Sequence, residues 1–453
     1  MSLKNKVINV TAEKIVFPGR SLCRCEDGIA IFTEGVLPGE TADVLVIRDK
    51  KSFREGILKR LTRKSPERIE PLCPSFGRCG GCTFQNTDYE TQIKYKKIYF
   101  DELLGSFGVE TSQVLKSPAV WNYRNKMELS FFDDNGKTDL GLHCKGSFDR
   151  YVPVPPCFIA DKDFLKAAER IKAFAEKYSL PAYNKNTHEG FFRHLVLRKA
   201  QNNNEFLINI VTNKTDADPE IFAPLSEEFK KFAHSVYWTQ NGRLSDAVVV
   251  DKFELLHGKE HITEKLNVGG SDYFFTISPF SFFQTNSKGA EILYNEVLRL
   301  LNPSKNDTLL DLYCGTGTIG ISMAQKVKRV IGIEQVEQAI ADAEKNAGQN
   351  NVKNAEFFVS TAEKWVKNNE AHFDSIVVDP PRSGLTNDVI KFLLGSGAKK
   401  IVYVSCNPST LARDLDLIRE SGKYSVKAVT PVDMFPQTYH IEAVVLLESV
   451  KGL

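Results

Sequence analysis

Seven short apolar runs dominate the last third of the chain: Thr308–Tyr313, Arg329–Glu334, Ala355–Val359, Phe373–Asp379, Lys400–Ser405, Ser425–Val432 and Ala443–Glu448. Helical patterns fill the first gaps, notably Ile319–Gln325 and Val336–Asn350. Strands alternating with helices must bury both faces of a parallel sheet, so this region is expected to be doubly wound and Rossmann-like. Too little chain separates the last two runs for a helix, which predicts an antiparallel final strand. Open sheets of this kind build their sites beyond the C-terminal ends of the strands.

Three of those ends carry reactive side chains. Val402 to Pro408 reads Val-Tyr-Val-Ser-Cys-Asn-Pro, placing Cys406 at a strand tip just before a helical stretch. A helix N-terminus there is expected to lower the thiol pKa and favour the thiolate; the plain alternative is a small buried residue at a strand end. Asp379-Pro380-Pro381-Arg382 ends the fourth run, and Glu442 begins the seventh. The first turn, Asp311-Leu-Tyr-Cys-Gly315-Thr-Gly317-Thr-Ile-Gly320, satisfies G-x-G-x-x-G, which also describes a dinucleotide site. Asp311 argues for a different occupant, because a carboxylate repels a pyrophosphate but suits a cationic cofactor such as S-adenosylmethionine (SAM). Glu334 could hold ribose hydroxyls in either case. A thiolate beside a methyl donor can add to C6 of a pyrimidine and turn C5 into a carbon nucleophile.

Upstream, residues 1–61 read as five short strands, Val7–Val10, Lys14–Val16, Gly28–Phe32, Ala42–Ile47 and Glu55–Leu61, punctuated by Pro-Gly and Asp-Gly turns. That pattern predicts a small barrel of the OB-like type that carries nucleic acid. Residues 1–64 hold 13 Lys/Arg against 8 Asp/Glu, with Lys50, Lys51, Arg54, Lys59, Arg60, Arg63 and Lys64 crowding the end, although the whole chain nets only +2. A polyanion-facing module and a solvated basic face explain this equally well.

Cys73, Cys79 and Cys82 follow at C-x5-C-x2-C spacing, with Gly80 and Gly81 between the last two. Consecutive glycines free backbone N–H groups to face sulfur, as suits a 4Fe–4S cluster, with a four-cysteine zinc site as the competitor. Cys157, stiffened by Pro153, Pro155 and Pro156, is the expected fourth ligand, and Cys144 the alternative. Residues 85–265 predict a helix over Tyr89–Leu104 and then strands around Tyr123–Phe131, Gly190–Arg198 and Phe206–Val211. Arg124, Lys126, Arg193 and Arg198 could grip phosphates there and His194 touch a base. A domain boundary is expected near Lys265–Ser271, where Gly269-Gly270 interrupts the pattern. With no signal-peptide pattern, no apolar run of spanning length and no disulfide framework, a reducing cytoplasm is the expected setting.

Taken together, Ser405-Cys406-Asn407-Pro408, Asp379-Pro380-Pro381-Arg382, the Asp433–Glu442 segment and the cysteine triplet resemble the bacterial RNA uridine-5 methyltransferases over nearly the full length. The resemblance implies an α/β multidomain chain: a TRAM-like RNA-binding barrel (1–64), a mixed α+β central domain with an iron–sulfur site (65–268) and a SAM-dependent methyltransferase domain (269–453). It implies Cys406 as nucleophile and Glu442 as the base for the C5 proton. SAM contacts fall on Gln284, Tyr313, Thr318, Glu334, Thr361 and Asp379, beside Asp311, Gly315 and Gly317 of the glycine loop. Cluster ligands fall on Cys73, Cys79, Cys82 and Cys157. Barrel and cluster motif together point to the 23S rRNA branch; tRNA is the alternative substrate, and a non-catalytic iron–sulfur RNA-binding protein the alternative class.

Overall fold

A computed structural model describes residues 2–154, 156–244, 250–369 and 371–450. Pro155, expected to stiffen the approach to Cys157, lies outside them.

The first unit is a closed barrel of β1 (Val7–Val16), β2 (Arg20–Arg24), β3 (Ala30–Thr33), β4 (Thr41–Asp49) and β5 (Phe53–Arg63), in the order β1-β2-β3-β5-β4. Alternate residues of β4, Ala42, Val44 and Val46, are wholly buried, the period-two signature that made it legible. Val7–Val10 and Lys14–Val16 are one strand, not two. A register shift between Ala12 and Lys14 lets it bend through the irregular stretch, while β2, with its cysteine and arginines, escaped the sequence reading.

Helix α1 (Tyr89–Leu104) starts where expected, capped by Asp88, whose carboxylate accepts from Thr91 N at 2.8 Å. Seven strands of the central domain then form one sheet: β6 (Lys126–Asp134), β7 (Lys137–His143), β8 (Tyr151–Pro153), β9 (Phe192–Ala200), β10 (Glu205–Thr212), β11 (Ser235–Gln240) and β12 (Lys252–Gly258). Their order is β12-β11-β10-β9-β6-β7-β8, with α2 (Asp163–Lys177) and α3 (Ala223–Phe229) covering an aromatic-rich core around Phe192, Phe222 and Trp238. Gly269-Gly270, where a boundary was expected, instead make the turn of a hairpin between β13 (Ile262–Val268) and β14 (Ser271–Ile277). Both glycines have positive φ, and the two-residue turn they form explains why the pattern broke there.

The last unit has α4 (Ser287–Leu301), β15 (Thr308–Leu312), α5 (Thr318–Met323), β16 (Arg329–Glu334), α6 (Glu337–Gln349), β17 (Ala355–Val359), α7 (Ala362–Lys367), β18 (Ser375–Val378), α8 (Asn387–Gly395), β19 (Lys400–Ser405), α9 (Pro408–Glu420), β20 (Tyr424–Val432) and β21 (Glu442–Ser449). The sheet order is β17-β16-β15-β18-β19-β21-β20, parallel except for β21, which runs antiparallel to both neighbours. Strand order reverses between β15 and β18, so the crevice opens above Asp311, Glu334 and Asp379. No helix among the described residues is long and apolar enough to cross a membrane.

Candidate active site

The glycine loop is built for close approach. Tyr313 takes φ 67°, uncommon for a non-glycine residue, and Gly317 takes φ 78° at the cap of α5. Asp311 Oδ2 accepts from Gly320 N at 2.9 Å and so ties the loop to β15, while its Oδ1 is buried without a partner. Burial pushes this carboxyl up to about 7, with the charges of Asp379 and Glu334 adding to the effect. Glu334 accepts from Gly315 N (3.3 Å) with one oxygen and from Gln335 N and Val336 N (2.8 and 2.9 Å) with the other. Thr318 begins α5, and Thr361 caps α7, accepting from Lys364 N at 3.2 Å on an exposed rim.

Gln284 lies in the segment before α4, held by Asn125 Nδ2, which donates to its carbonyl at 3.0 Å. Between Gln284 and Thr318 sits the buried hydroxyl of Tyr294, whose proton burial and the Asp379 and Asp311 charges hold tightly. Sequence reasoning missed Tyr294, because mid-helix it reads only as one apolar position of α4. Gln284, Thr318, Asp311 and Asp379 thus converge on one crevice.

Cys406 and Glu442 meet through strand register. The β19–β21 ladder ends at Ser405↔Ala443, one residue short of Cys406 and of Glu442, and the Glu442 carboxyl lies within electrostatic reach of the thiol. Asn407 fixes the tip: it caps α9, accepting from Ser409 N at 3.1 Å, and donates from Nδ2 to Arg382 O at 3.0 Å. Thr410 Oγ1 also donates to Arg382 O, at 3.2 Å, joining the fourth and fifth strand tips. Against expectation, the Cys406 thiol is pushed up to about 11. Burial is the main cause and the Glu442 and Asp379 carboxylates add to it, outweighing the Arg382 charge and a backbone hydrogen bond. Glu442 is itself pushed up to about 8 by burial and Asp379, and Asp379 to about 7 by burial. Before any ligand binds, this is a thiol among largely protonated carboxyls.

Residues 433–442 come from the far end of the chain but are held by its front. Lys96 of α1 donates to Asp433 Oδ1 at 2.7 Å and to Phe435 O at 3.1 Å, and both members of this ion pair are wholly buried. Gln437, at φ 69°, donates from its amide to Gln92 Oε1 (2.8 Å) and accepts from Gln92 Nε2 (3.0 Å). Its carbonyl accepts from Thr83 N and Phe84 N, immediately after Cys82. Tyr123 Oη donates to Pro436 O at 2.8 Å, and Phe17 of the barrel packs edge-on against Tyr439. Burial and the charges of Arg382, Lys96 and Arg124 hold His440 down at about 4, so it is a neutral imidazole.

The cysteines gather where the sequence placed them. Gly81 N donates to Cys79 Sγ at 3.4 Å. Burial pushes up the Cys79, Cys82 and Cys157 thiols, and Cys73, Cys79 and Cys82 all lie within electrostatic reach of Cys157. Cys144 instead forms a β-bridge with Cys79. All five thiols are free, and among the described residues no three Cys, His, Asp or Glu side chains close to metal-holding distances.

Three expected RNA contacts are instead structural. Arg193 is buried, donating to Asn241 O and Arg243 O at 2.8 and 2.6 Å over the Tyr183 ring. Arg198 is buried against Ser281 O, and burial lowers its pKa to about 10. His194 is enclosed beside Ser130. β9 runs through the middle of the sheet, covered on both faces, so its polar residues satisfy loop carbonyls. Arg124 and Lys126 remain half-exposed. In the barrel, Arg54 is only 4% exposed and pairs with Asp27 and Asp49, which removes it from an open basic face, whereas Arg60 pairs with Asp43 but stays exposed.

Known proteins agree with this geometry. The family model described as tRNA (uracil-5-)-methyltransferase matches residues 88–450. An uncharacterized RNA methyltransferase of Caldanaerobacter subterraneus subsp. tengcongensis is 43% identical, covering 98% of this chain and 99% of its own. One of Clostridium acetobutylicum is 39% identical over 98% of both. Among solved structures, the Pyrococcus abyssi tRNA (uracil-54, C5)-methyltransferase in complex with S-adenosyl-L-homocysteine is 31% identical with a TM-score of 0.78, covering 97% of this chain and 100% of that one. By sequence, length and fold, the chain belongs to the tRNA (uracil-5-)-methyltransferase family.

Proposed function

We propose that this chain methylates C5 of a uridine in RNA through a covalent Cys406 adduct at C6. The observation carrying this is that the end of the β19–β21 ladder brings a thiol and a carboxyl within electrostatic reach of each other beside Asp379. The crevice fits SAM: Asp311 has a buried oxygen without a partner, and burial holds both aspartates near 7, so a cationic ligand beside them would favour their ionised form. When bound, SAM supplies an electrophilic methyl group. Gln284, Tyr313, Thr318, Glu334 and Thr361 would hold it beside Asp379, against the glycine loop at Gly315 and Gly317. The target uridine leaves its stack to reach this depth. Cys406 gives up its proton to solvent and adds to C6 as the thiolate, moving charge toward the uracil O4, with the Arg382 cation nearby as counter-charge. Once C5 is methylated, ionised Glu442 takes the C5 proton, the C5–C6 double bond re-forms and the Cys406–C6 bond breaks, releasing the thiolate. Glu442→Gln should accumulate a protein–RNA adduct that survives denaturing electrophoresis, and Cys406→Ala none. Normal turnover by Cys406→Ala would overturn the covalent scheme.

The barrel is read as a TRAM-like RNA-binding module, and Cys73, Cys79, Cys82 and Cys157 as ligands of a 4Fe–4S cluster. The donor chemistry fits: four free thiols in mutual reach, one already facing a backbone N–H. Methyl transfer is redox-neutral, so the cluster's part is to brace Thr83 and Phe84 against Gln437. Iron and sulfide assays on anaerobically purified protein, with Cys79→Ser as control, test this. 23S rRNA is the substrate expected from barrel and cysteine motif. A tRNA uridine is the second reading, favoured by the end-to-end match to a tRNA enzyme. Nucleoside mass spectrometry on separate unmodified 23S rRNA and tRNA transcripts distinguishes them by where 5-methyluridine forms.

A further inference from the structure

A cavity of about 720 Å³ lies in the central domain, away from the strand-tip crevice, between the β7–β8 loop, Gly77-Arg78 of the cysteine segment and the loop after Ala182. Its wall is an aromatic ladder: Phe132 stacks on Tyr151 (centroids 5.1 Å apart, planes at 11°), and His143 meets the same ring at 4.7 Å. Its rim is cationic. Arg78, Arg150 and Lys185 face Asp133 and Asp149, while Lys145 is committed to Glu34 of the barrel and closes that side. Beside the rim Phe148 stands 88% exposed, its carbonyl accepting from Lys185 Nζ at 3.1 Å. A large exposed ring between cations is costly in water and is what stacks bases in proteins that grip single strands.

The cavity adjoins the cysteine segment, whose following residues Thr83 and Phe84 bond Gln437 of the 433–442 segment. Cys144 in its wall bridges to Cys79, and the Arg124 charge reaches both Cys79 and His440, two residues from Glu442. We infer that this cavity holds a second, unpaired nucleotide of the RNA, flanking the methylated uridine. Its base lies against the Phe132–Tyr151 wall and Phe148, and its phosphate against Arg78 and Arg150. The inference rests on RNA as substrate, not on which RNA.

Filter retention of a radiolabelled RNA transcript, with steady-state methylation and SAM titration, tests it on the Phe148→Ala variant and the Arg78→Glu/Arg150→Glu double variant. All three positions are exposed, so the fold should survive. Retention and KM for RNA should worsen about tenfold, with kcat within twofold and SAM affinity unchanged. The salt dependence of binding in the double variant should flatten by roughly one phosphate contact. Crosslinks from 5-bromouridine placed along the RNA should reach Tyr151 or Phe148 from a position other than the target. RNA affinity and salt slope equal to wild type in both variants would overturn the assignment. So would weakened SAM binding, which would make the loss a general defect. Retention is read without turnover, so a wild type that binds RNA but forms no 5-methyluridine would fault the uridine chemistry alone.

Discussion

Replacing Glu442 by glutamine removes a carboxyl that burial and the Asp379 charge hold at about 8. The ordinary value is 4.5, so ionising this group in the fold costs stability that the unfolded chain does not lose. The contribution is fully present below pH 4.5 and drains away as pH rises through 8, the direction expected for an acid whose folded pKa is raised. At roughly 1.4 kcal/mol per pH unit the gap amounts to about 5 kcal/mol. Asp379 titrates alongside and shares part of that cost, which brings the expected range to about 2–5 kcal/mol. Glu442→Gln keeps the shape and cannot ionise, so its stability relative to wild type should climb by that amount between pH 5 and pH 8.5. Multidomain chains unfold in more than one step, so the quantity to follow is native-state hydrogen exchange of β19 and β21 amides, corrected for intrinsic rates. A wild-type-minus-variant difference flat within about 0.5 kcal/mol over that range would refute the reasoning and mean that Glu442 is solvated or already paired.

The same electrostatics predict that Glu442→Gln speeds alkylation of Cys406 by iodoacetamide several-fold at pH 9, read by peptide mass spectrometry; a slower reaction would contradict the carboxylate as a cause of the raised thiol. Lys96→Met should strand the buried Asp433 charge and cost about 3–5 kcal/mol, whereas Lys96→Met with Asp433→Leu should recover most of it; urea midpoints of the three proteins decide. Gly317→Ala forces a positive φ on alanine and puts its Cβ 2.9 Å from Ile321 Cδ1. It should cost about 1–2 kcal/mol and weaken SAM affinity about tenfold in calorimetry; an unchanged titration would separate the loop from the cofactor.

The doubly wound sheet was readable because each buried strand is an unbroken apolar run, as in Ile401–Val404, and because the short space before β21 forbids a helix. The tips carrying Asp379, Cys406 and Glu442 followed from strand periodicity alone. What could not be read depends on tertiary burial. β9 mixes polar residues with a short apolar run as a half-exposed strand would, yet every residue in it is buried, so Arg193, His194 and Arg198 passed for surface groups. The Cys406 thiol failed the same way: a helix N-terminus is visible in sequence, but the burial that raises the thiol, and the Glu442 and Asp379 carboxylates that add to it, come from tertiary packing. Tyr294 and Lys96 left no signal, since their partners lie outside their own helices, 10 or more positions away.

The hold of α1 on residues 433–442 also dictates a timetable. Lys96 leaves the ribosome 337 positions before Asp433, roughly 20–70 s earlier at ordinary synthesis rates. Until then its ammonium must stay hydrated, and the site that will strip it of water cannot close. The barrel and the cavity below it are complete long before Glu442 is added. On the proposed reading of the barrel and cavity, a nascent chain acquires its RNA-binding surfaces first and its chemistry last, and a truncation shortly before Asp433 should yield a protein that grips RNA and cannot alter it.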